Sequence, residues 1–427
     1  MTIDPKKLTA LGVDLQGRRI GVIHRLAGDQ QLFALEQDYI DDPRRPTLSL
    51  SYKSRTGGLV TSVQQVHRRV PPFFSNLLPE GHLRTYLAEQ AGVNPEREFF
   101  LLAALGADLA GAVTVTPLDH DGDDHHDDAG AHDRGEERKD GRGGDEDRSH
   151  RGALRFSLAG VQLKFSAVME SSGGLTIPAQ GIGGSWIVKL PSTRFAAVSE
   201  NEFVILELAR AIGIAVPRIQ LVPVSSIQGL PPDAASLAGT ALAVERFDRS
   251  PGGQRIHMED FAQVFGIFPE GKYKSVSYAN IARVLWAETG EQGAYEFVKR
   301  LAFSVLIGNA DMHLKNWSLL YPDTRTPMLS PAYDFVATLP YMPDDKLALT
   351  FGGSRSLEGI TLDQIRRFTD TAGLPTTPIA RTVRETVEAT ATTWPKLAHK
   401  DLLPADVLKV ISNQIDGAAT RTLKALS

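Results

Sequence analysis

Asp311 and Asn316 stand five positions apart in Gly308-Asn309-Ala310-Asp311-Met312-His313-Leu314-Lys315-Asn316-Trp317, and Asp334 follows after a short hairpin. A carboxylate able to take a proton, followed by two hard oxygen ligands, is the set that phosphoryl transfer requires. One group serves as base for an acceptor hydroxyl; the others hold Mg2+ beside the phosphates of ATP. An Asp-x4-Asn spacing by itself also fits a loop of Asx turns. The assignment therefore depends on the elements that would bring the three residues together.

Those elements can be read locally. Glu296 to Ile307 has helical spacing, with Phe297, Leu301, Ser304 and Gly308 on one face. Gly308-Asn309 is a helix stop, because both residues tolerate left-handed backbone angles. Asp311 to Asn316 then falls in the loop after a buried helix. Trp317 to Tyr321 reads as a strand, Pro322 to Pro327 as a turn, and Met328 to Tyr333 as the returning strand. Pairing Tyr321 with Met328 would set Asn316 opposite Tyr333 and deliver Asp334 beside it. Pro331 cannot donate to a ladder, which makes this an edge strand or an irregular hairpin.

A second half of the site lies upstream. Lys189 lies along the apolar strand Ser185-Trp186-Ile187-Val188-Lys189-Leu190-Pro191. A strand lysine is costly to bury unless it meets a phosphate or a carboxylate. Glu202, thirteen residues on in a helical run reaching about Ile212, can be that carboxylate, as in the strand-lysine and helix-glutamate pair of kinases. Phe156-Ser157-Leu158-Ala159-Gly160-Val161-Gln162-Leu163-Lys164-Phe165 supplies a small-residue turn whose N–H groups can approach phosphates. Thr240 to Glu245 is a buried strand leading into the charged Arg246-Phe247-Asp248-Arg249, where a base would meet the hinge between two lobes. The chain has neither a Walker A motif nor a G-x-G-x-x-G; Gly181 to Gly184 reads as a hairpin turn.

In this order the segments resemble the HipA family of bacterial toxin serine/threonine kinases over essentially the whole chain. The resemblance is carried by Phe73-Phe74-Ser75-Asn76-Leu77-Leu78-Pro79-Glu80-Gly81, Ser157 to Lys164, Trp186 to Pro191, Val244 to Arg249, Leu306 to Asn316 and Tyr333-Asp334. Leu163 departs from the founding member, which has a glutamate there. The resemblance implies an α+β, two-lobed protein-kinase-like fold. A mixed β/α N-terminal lobe and a mainly helical C-terminal lobe would follow a small β-rich HipA N-terminal domain. It also implies that Asp311 is the catalytic base and that Asn316 and Asp334 are the magnesium ligands. Lys189 would hold the ATP phosphates, with Ser157, Ala159, Gly160, Val161, Gln162 and Lys164 in the loop above them. Glu245 and Phe247 would meet adenine through backbone groups, and Asp248 would lie near the ribose. Ser157 matches the autophosphorylated serine of the family, where nearly two added negative charges would oppose ATP binding. His313 would orient the loop or be structural. Lys315 would face a phosphate or solvent. The family further implies a small HipB-like DNA-binding antitoxin as partner and an aminoacyl-tRNA synthetase as protein substrate, glutamyl-tRNA synthetase being the founding case.

Composition bounds the rest. The chain has 427 residues, 42 % of them hydrophobic, enough for two or three cores. Zero cysteines exclude disulfides and thiolate metal sites. The first residues lack the apolar run of a signal peptide, and no stretch approaches the ~18 apolar residues of a membrane helix. A cytoplasmic enzyme is expected. Net charge is −5, but residues 119–150 carry thirteen acidic and five basic side chains, so the remainder is positive. That segment also holds His120, His125, His126, His132 and His150 and almost no large apolar residue; it reads as a disordered linker with at most weak affinity for transition metals. The expected division is residues 1–116, with strand-like stretches that include Leu48 to Tyr52, the linker 117–152, an ATP-binding lobe 153–247 and a helical lobe 248–427. In that last lobe helices are expected to dominate from Met258 onward, at Tyr278–Glu288, Ala294–Ile307, Leu362–Ala372, Thr377–Thr392 and Pro404–Leu426. Direct DNA reading is not indicated, since no basic stripe interleaved with aromatics is present. Two alternatives stay open: a small-molecule kinase on the same scaffold, and an antitoxin-bound co-repressor with little turnover.

Overall fold

The computed structural model describes residues 8–62, 65–118, 163–170, 174–178, 183–274 and 276–427. Three sheets and three apolar clusters organise them. β1 (Ala10–Leu15), β2 (Arg18–Leu26), β3 (Gln30–Leu35), β4 (Val66–His67) and β5 (Val113–Leu118) form one sheet in the order β4-β3-β2-β1-β5. Its buried alternate residues, among them Leu11, Val13, Ile20 and Ile23, close on Phe73, Phe74 and the helix α2 (Glu98–Leu105), which follows α1 (Gly81–Gln90). Phe73 and Phe74 are core residues, as their side-chain size demands once a sheet lies beneath them. Leu48 to Tyr52, expected as a strand, is instead a 3-10 turn at Leu50–Tyr52. The cause is a buried carboxylate: Glu259 accepts from the Leu50 N–H at 2.9 Å and from the Ser49 hydroxyl at 2.5 Å, which draws the backbone away from any sheet partner.

The second sheet runs β10-β7-β6-β8-β11-β9, from β6 (Lys164–Met169), β7 (Leu175–Thr176), β8 (Trp186–Lys189), β9 (Ile219–Pro223), β10 (Ile227–Gln228) and β11 (Thr240–Glu245). Lys189 pairs with Lys164 on one side and Leu242 on the other, so both lysines lie at one level of the sheet. α3 (Val198–Ala211) packs its apolar face, Val204, Ile205 and Leu208, toward Leu242 and Val244.

The remainder is mainly helical, opened by β12 (His257–Asp260). Helices were expected to dominate from Met258, but β12 pairs antiparallel with β13 (Ser318–Tyr321), which in turn pairs β14 (Met328–Leu329). The span α4 (Tyr278–Leu306) is two helices joined at Gly290, whose φ of 70° and ψ of −163° are not helical; the break lies between the expected helices Tyr278–Glu288 and Ala294–Ile307. α4 ends before Gly308, which needs to be glycine on two counts. Its φ is 69°, and a Cβ there would stand 2.7 Å from Leu339 Cδ1. α5 (Leu362–Ala372), α6 (Thr376–Thr393) and α7 (Ala405–Leu426) complete the lobe. α5 is delimited by its own chemistry, a Thr361–Gln364 capping box at one end and Gly373 at φ 74° at the other.

Phe297, fully buried on α4, faces the Trp317 ring at 4.5 Å beneath the loop 311–316. Phe297→Ala should cost about 3–5 kcal/mol of stability, read as a shift in the denaturation midpoint with an unchanged slope.

Candidate active site

Lys189 is 5 % exposed at the end of β8, and its ammonium donates both to Glu202 Oε1 on α3 and to Asp334 Oδ1. Lys164, its sheet neighbour, reaches the other Asp334 oxygen at 3.5 Å. One strand pair thus presents two ammonium groups to the two oxygens of a single carboxylate. Burial alone would raise Asp334, but Lys164 and Lys189 overcome it and hold the carboxyl well below the usual range. Burial raises Glu202, the more enclosed carboxyl, and the Asp334 charge raises it further. Burial opposes the Lys189 charge; the two carboxylates outweigh it and raise its pKa. Asp334 has φ 55°, a left-handed conformation uncommon outside glycine and more accessible to aspartate than to branched residues.

The loop 311–316 builds the opposite wall. Asp311 N–H donates to Asn309 Oδ1 at 3.0 Å, and Asn316 Nδ2 donates to the Asp311 carbonyl at 2.8 Å. With its NH2 so used, the Asn316 amide keeps a carbonyl oxygen that has no hydrogen-bond partner among the described residues. Burial pushes the Asp311 carboxyl up to about 6, helped by the charge of Asp334 and opposed by Tyr273 and Lys272. His313 is buried and held down at about 3 by burial and Lys272, hence neutral at pH 7; its Nδ1 has no hydrogen-bond partner. Tyr333 ties this wall to the next by donating to the Lys315 carbonyl at 2.9 Å.

The hairpin is shifted by one residue from the expected register. Leu320, not Tyr321, pairs with Met328. Tyr321 is fully buried with its hydroxyl on Glu259, and that anchor sets where the turn begins. β14 is the edge of its sheet and stops before Pro331, as a residue without an N–H requires.

Four expected residues have partners or settings that the sequence did not indicate. Asp248, expected near a ribose, is 4 % exposed and fully engaged: Arg246 and Arg249 each approach it at 2.8 Å and the Gly111 N–H at 2.8 Å. These contacts tie it to the joint with the first sheet, three of the four donors falling on Oδ2 and one on Oδ1. Lys315 pairs with Glu80 at 2.7 Å and donates to the Asn76 carbonyl at 3.0 Å. Glu245 uses its N–H on the Arg218 carbonyl at 2.8 Å. Phe247 packs its ring on Tyr333 at 5.5 Å between centroids and keeps an N–H with no partner among the described residues. Ser157, Ala159, Gly160, Val161, Gln162 and the segment 119–150 lie outside the described residues.

Glu80, Lys272 and Tyr273 were missed. Tyr273 donates to Asp311 Oδ1 at 2.6 Å, and Lys272 pairs with Glu80 at 2.8 Å. Glu80 lay in a segment that carried the resemblance, where it had been given no role. Lys272-Tyr273 has no periodic signature at all.

Among the described residues no group of three or more His, Asp or Glu side chains is spaced to hold a metal alone, and no helix is long and apolar enough to cross a membrane. The fit to magnesium rests on other grounds. Asn316 and Asp334 are hard oxygen donors of the kind magnesium takes, although Lys189 and Lys164 stand on the two Asp334 oxygens. The unpartnered His313 Nδ1 leaves buried polar capacity for a ligand in the same cleft.

A two-lobed fold with a strand lysine shared by a helix glutamate and a cleft aspartate is that of a kinase. Family models for the HipA N-terminal domain and the HipA-like C-terminal domain match residues 11–116 and 156–394. The chain belongs to the HipA family. Y4dM of Sinorhizobium fredii, named as a kinase, is 49 % identical over 93 % of this chain and 94 % of its own. The serine/threonine-protein kinase toxin HipA of Shewanella oneidensis is 28 % identical over 78 % of this chain and 76 % of that one. The fold matches the Shewanella oneidensis HipA solved with HipB and operator DNA, with TM-score 0.72 and 23 % identity over 97 % of this chain and 98 % of that one.

Burial would raise the Glu80 carboxyl, but Lys315 and Lys272 outweigh it and hold it at about 2, against an ordinary 4.5. A depressed carboxyl stabilises the fold above its unfolded pKa and ceases to as pH falls through its folded one. Glu80→Gln should therefore lower stability at pH 7, with the deficit shrinking below pH 4.5 and vanishing near 2. The side chain is 35 % exposed, so solvent screens both pairs and the loss should be about 1 kcal/mol, read by denaturation at several pH values.

Proposed function

We propose that this chain is an ATP-dependent serine/threonine protein kinase, the toxin of a toxin–antitoxin pair. The observation that carries the reading is the Lys189 ammonium held between Glu202 and Asp334, with the Asp334 charge acting on Asp311 in the loop that also carries Asn316. Asp311, half-buried and raised, takes the proton of an acceptor hydroxyl as the oxygen of that hydroxyl bonds to the γ-phosphorus and the bond to ADP breaks. Lys189 and Lys164 hold phosphate oxygens, and the Phe247 N–H meets the edge of adenine. Asn316 and Asp334 hold magnesium, which when bound neutralises charge on the phosphates. His313 stays neutral and offers a ring nitrogen without adding charge.

The finer assignments follow the relatives and the resemblance. Serine or threonine as acceptor is supported by the name of the Shewanella oneidensis toxin, and a HipB-like DNA-binding antitoxin by the complex in which its HipA was solved. DNA would then be reached only through that antitoxin. The family resemblance points to an aminoacyl-tRNA synthetase as substrate and to Ser157 as the site of self-inactivation by autophosphorylation.

Asp311→Asn should abolish phosphate incorporation from labelled ATP while leaving the unfolding midpoint near that of the wild type. Incorporation at the wild-type rate would remove Asp311 as base. Ser157→Ala should delete the principal phosphopeptide seen by mass spectrometry after incubation with Mg·ATP; a phosphate persisting elsewhere would move the autophosphorylation site.

A further inference from the structure

Lys272 and Tyr273 lie in the segment between the short helix Phe261–Val264 and α4, outside every motif that defines the site. Their contacts converge on the loop 311–316. The Lys272 carbonyl accepts from the Leu314 N–H at 3.2 Å. The Lys272 ammonium pairs with Glu80, which pairs in turn with Lys315. The Tyr273 ring stands edge-on to His313, with centroids 5.0 Å apart. From there its hydroxyl donates to Oδ1 of Asp311 at 2.6 Å. Oδ2 has no hydrogen-bond partner among the described residues.

We propose that Tyr273 is a positioning residue whose hydroxyl fixes the rotation of the Asp311 carboxylate, so that Oδ2 is presented to the acceptor hydroxyl. The inference rests on the assignment of Asp311 as base. A terminal carboxylate torsion is broad and roughly two-fold, so an unanchored carboxylate samples orientations unsuited to proton transfer. Reaction requires the acceptor within hydrogen-bond reach and aligned, and a fixed Oδ1 supplies that alignment before substrate arrives. The opposite role, a hydroxyl standing in the acceptor's place as a gate, fits the contacts poorly. Tyr273 is pinned by His313 at its ring, and the preceding residue is pinned by Leu314 and Glu80. It is therefore part of the wall, and a gate would have to leave Asp311 at every turnover.

Tyr273→Phe removes the hydroxyl and keeps the ring against His313. The full chain is assayed for phosphate incorporation into itself and into casein as a generic acceptor, across a range of Mg·ATP concentrations. Losing one hydrogen bond to a charged group should lower the maximal rate about tenfold or more. The concentration of Mg·ATP for half-maximal rate should stay within about twofold, because the hydroxyl removed bonds only Asp311 and the ring stays against His313. A maximal rate equal to or above that of the wild type overturns the inference. So does a fall accompanied by weaker Mg·ATP use or an early unfolding midpoint, either of which marks a structural role. Asp311→Asn, run in parallel, separates the two claims. If it is inactive while Tyr273→Phe matches the wild type, only the Tyr273 role fails. If it is fully active, or the wild-type chain transfers no phosphate, the reading of the base fails and takes this inference with it.

Discussion

Lys189 carries one positive charge between two carboxylates in an enclosed space, and the geometry of the cleft follows from that arrangement. The lysine is fixed by β8, Glu202 by α3, and Asp334 by the chain leaving the C-terminal hairpin. None of the three would be stable in place alone, since an isolated buried charge costs several kcal/mol. Together they pin a sheet, a helix and the second lobe to one point. Lys164 belongs to the same arrangement because it sits opposite Lys189 in the sheet register, so the second ammonium arrives with the strand and not by separate placement. Glu202 and Asp334 share the lysine but differ in setting: Glu202 is the more enclosed and is raised, whereas Asp334, with a second ammonium beside it, is depressed.

Around this point the first sheet acts as a brace for the kinase and not as an appendage. It meets the hinge through Asp108, which pairs with Arg249 at 2.9 Å, and through the Gly111 N–H on Asp248. Gly111 has φ 72°, and a Cβ there would stand 2.8 Å from the Met258 backbone nitrogen, so the two bodies touch backbone to backbone. A second contact surrounds the fully buried Glu259, which burial raises to about 7 despite hydrogen bonds from Ser49, Tyr321 and Leu50. The third is Glu80 between Lys272 and Lys315. Hinge, sheet and catalytic loop are each held by a carboxylate that spans the joint.

What could be read beforehand was whatever the chain enforces locally. A strand lysine demands a counter-charge, and a glutamate thirteen residues away at the start of a helix supplies it. The limits of α5 coincide with those read from the sequence because its caps are written in Thr361, Gln364 and Gly373. What escaped depended on distant partners. The partners of Asp248 were not legible because they include an N–H 137 residues upstream. The hairpin slipped by one because Tyr321 answers to Glu259, 62 residues away. Leu48 to Tyr52 alternates like a strand, yet its backbone is claimed by that same carboxylate.

The Glu80 bridge bears on how such a chain can be divided. Lys272 and Lys315 belong to the catalytic half, and the carboxylate standing between them comes from the other. A fragment beginning after residue 162 would keep Lys164, Lys189, Asp311, Asn316 and Asp334 while leaving two like charges unshielded beside the loop 311–316. That half is thus not a transplantable cassette: its electrostatic ground is lent by a neighbour across the joint.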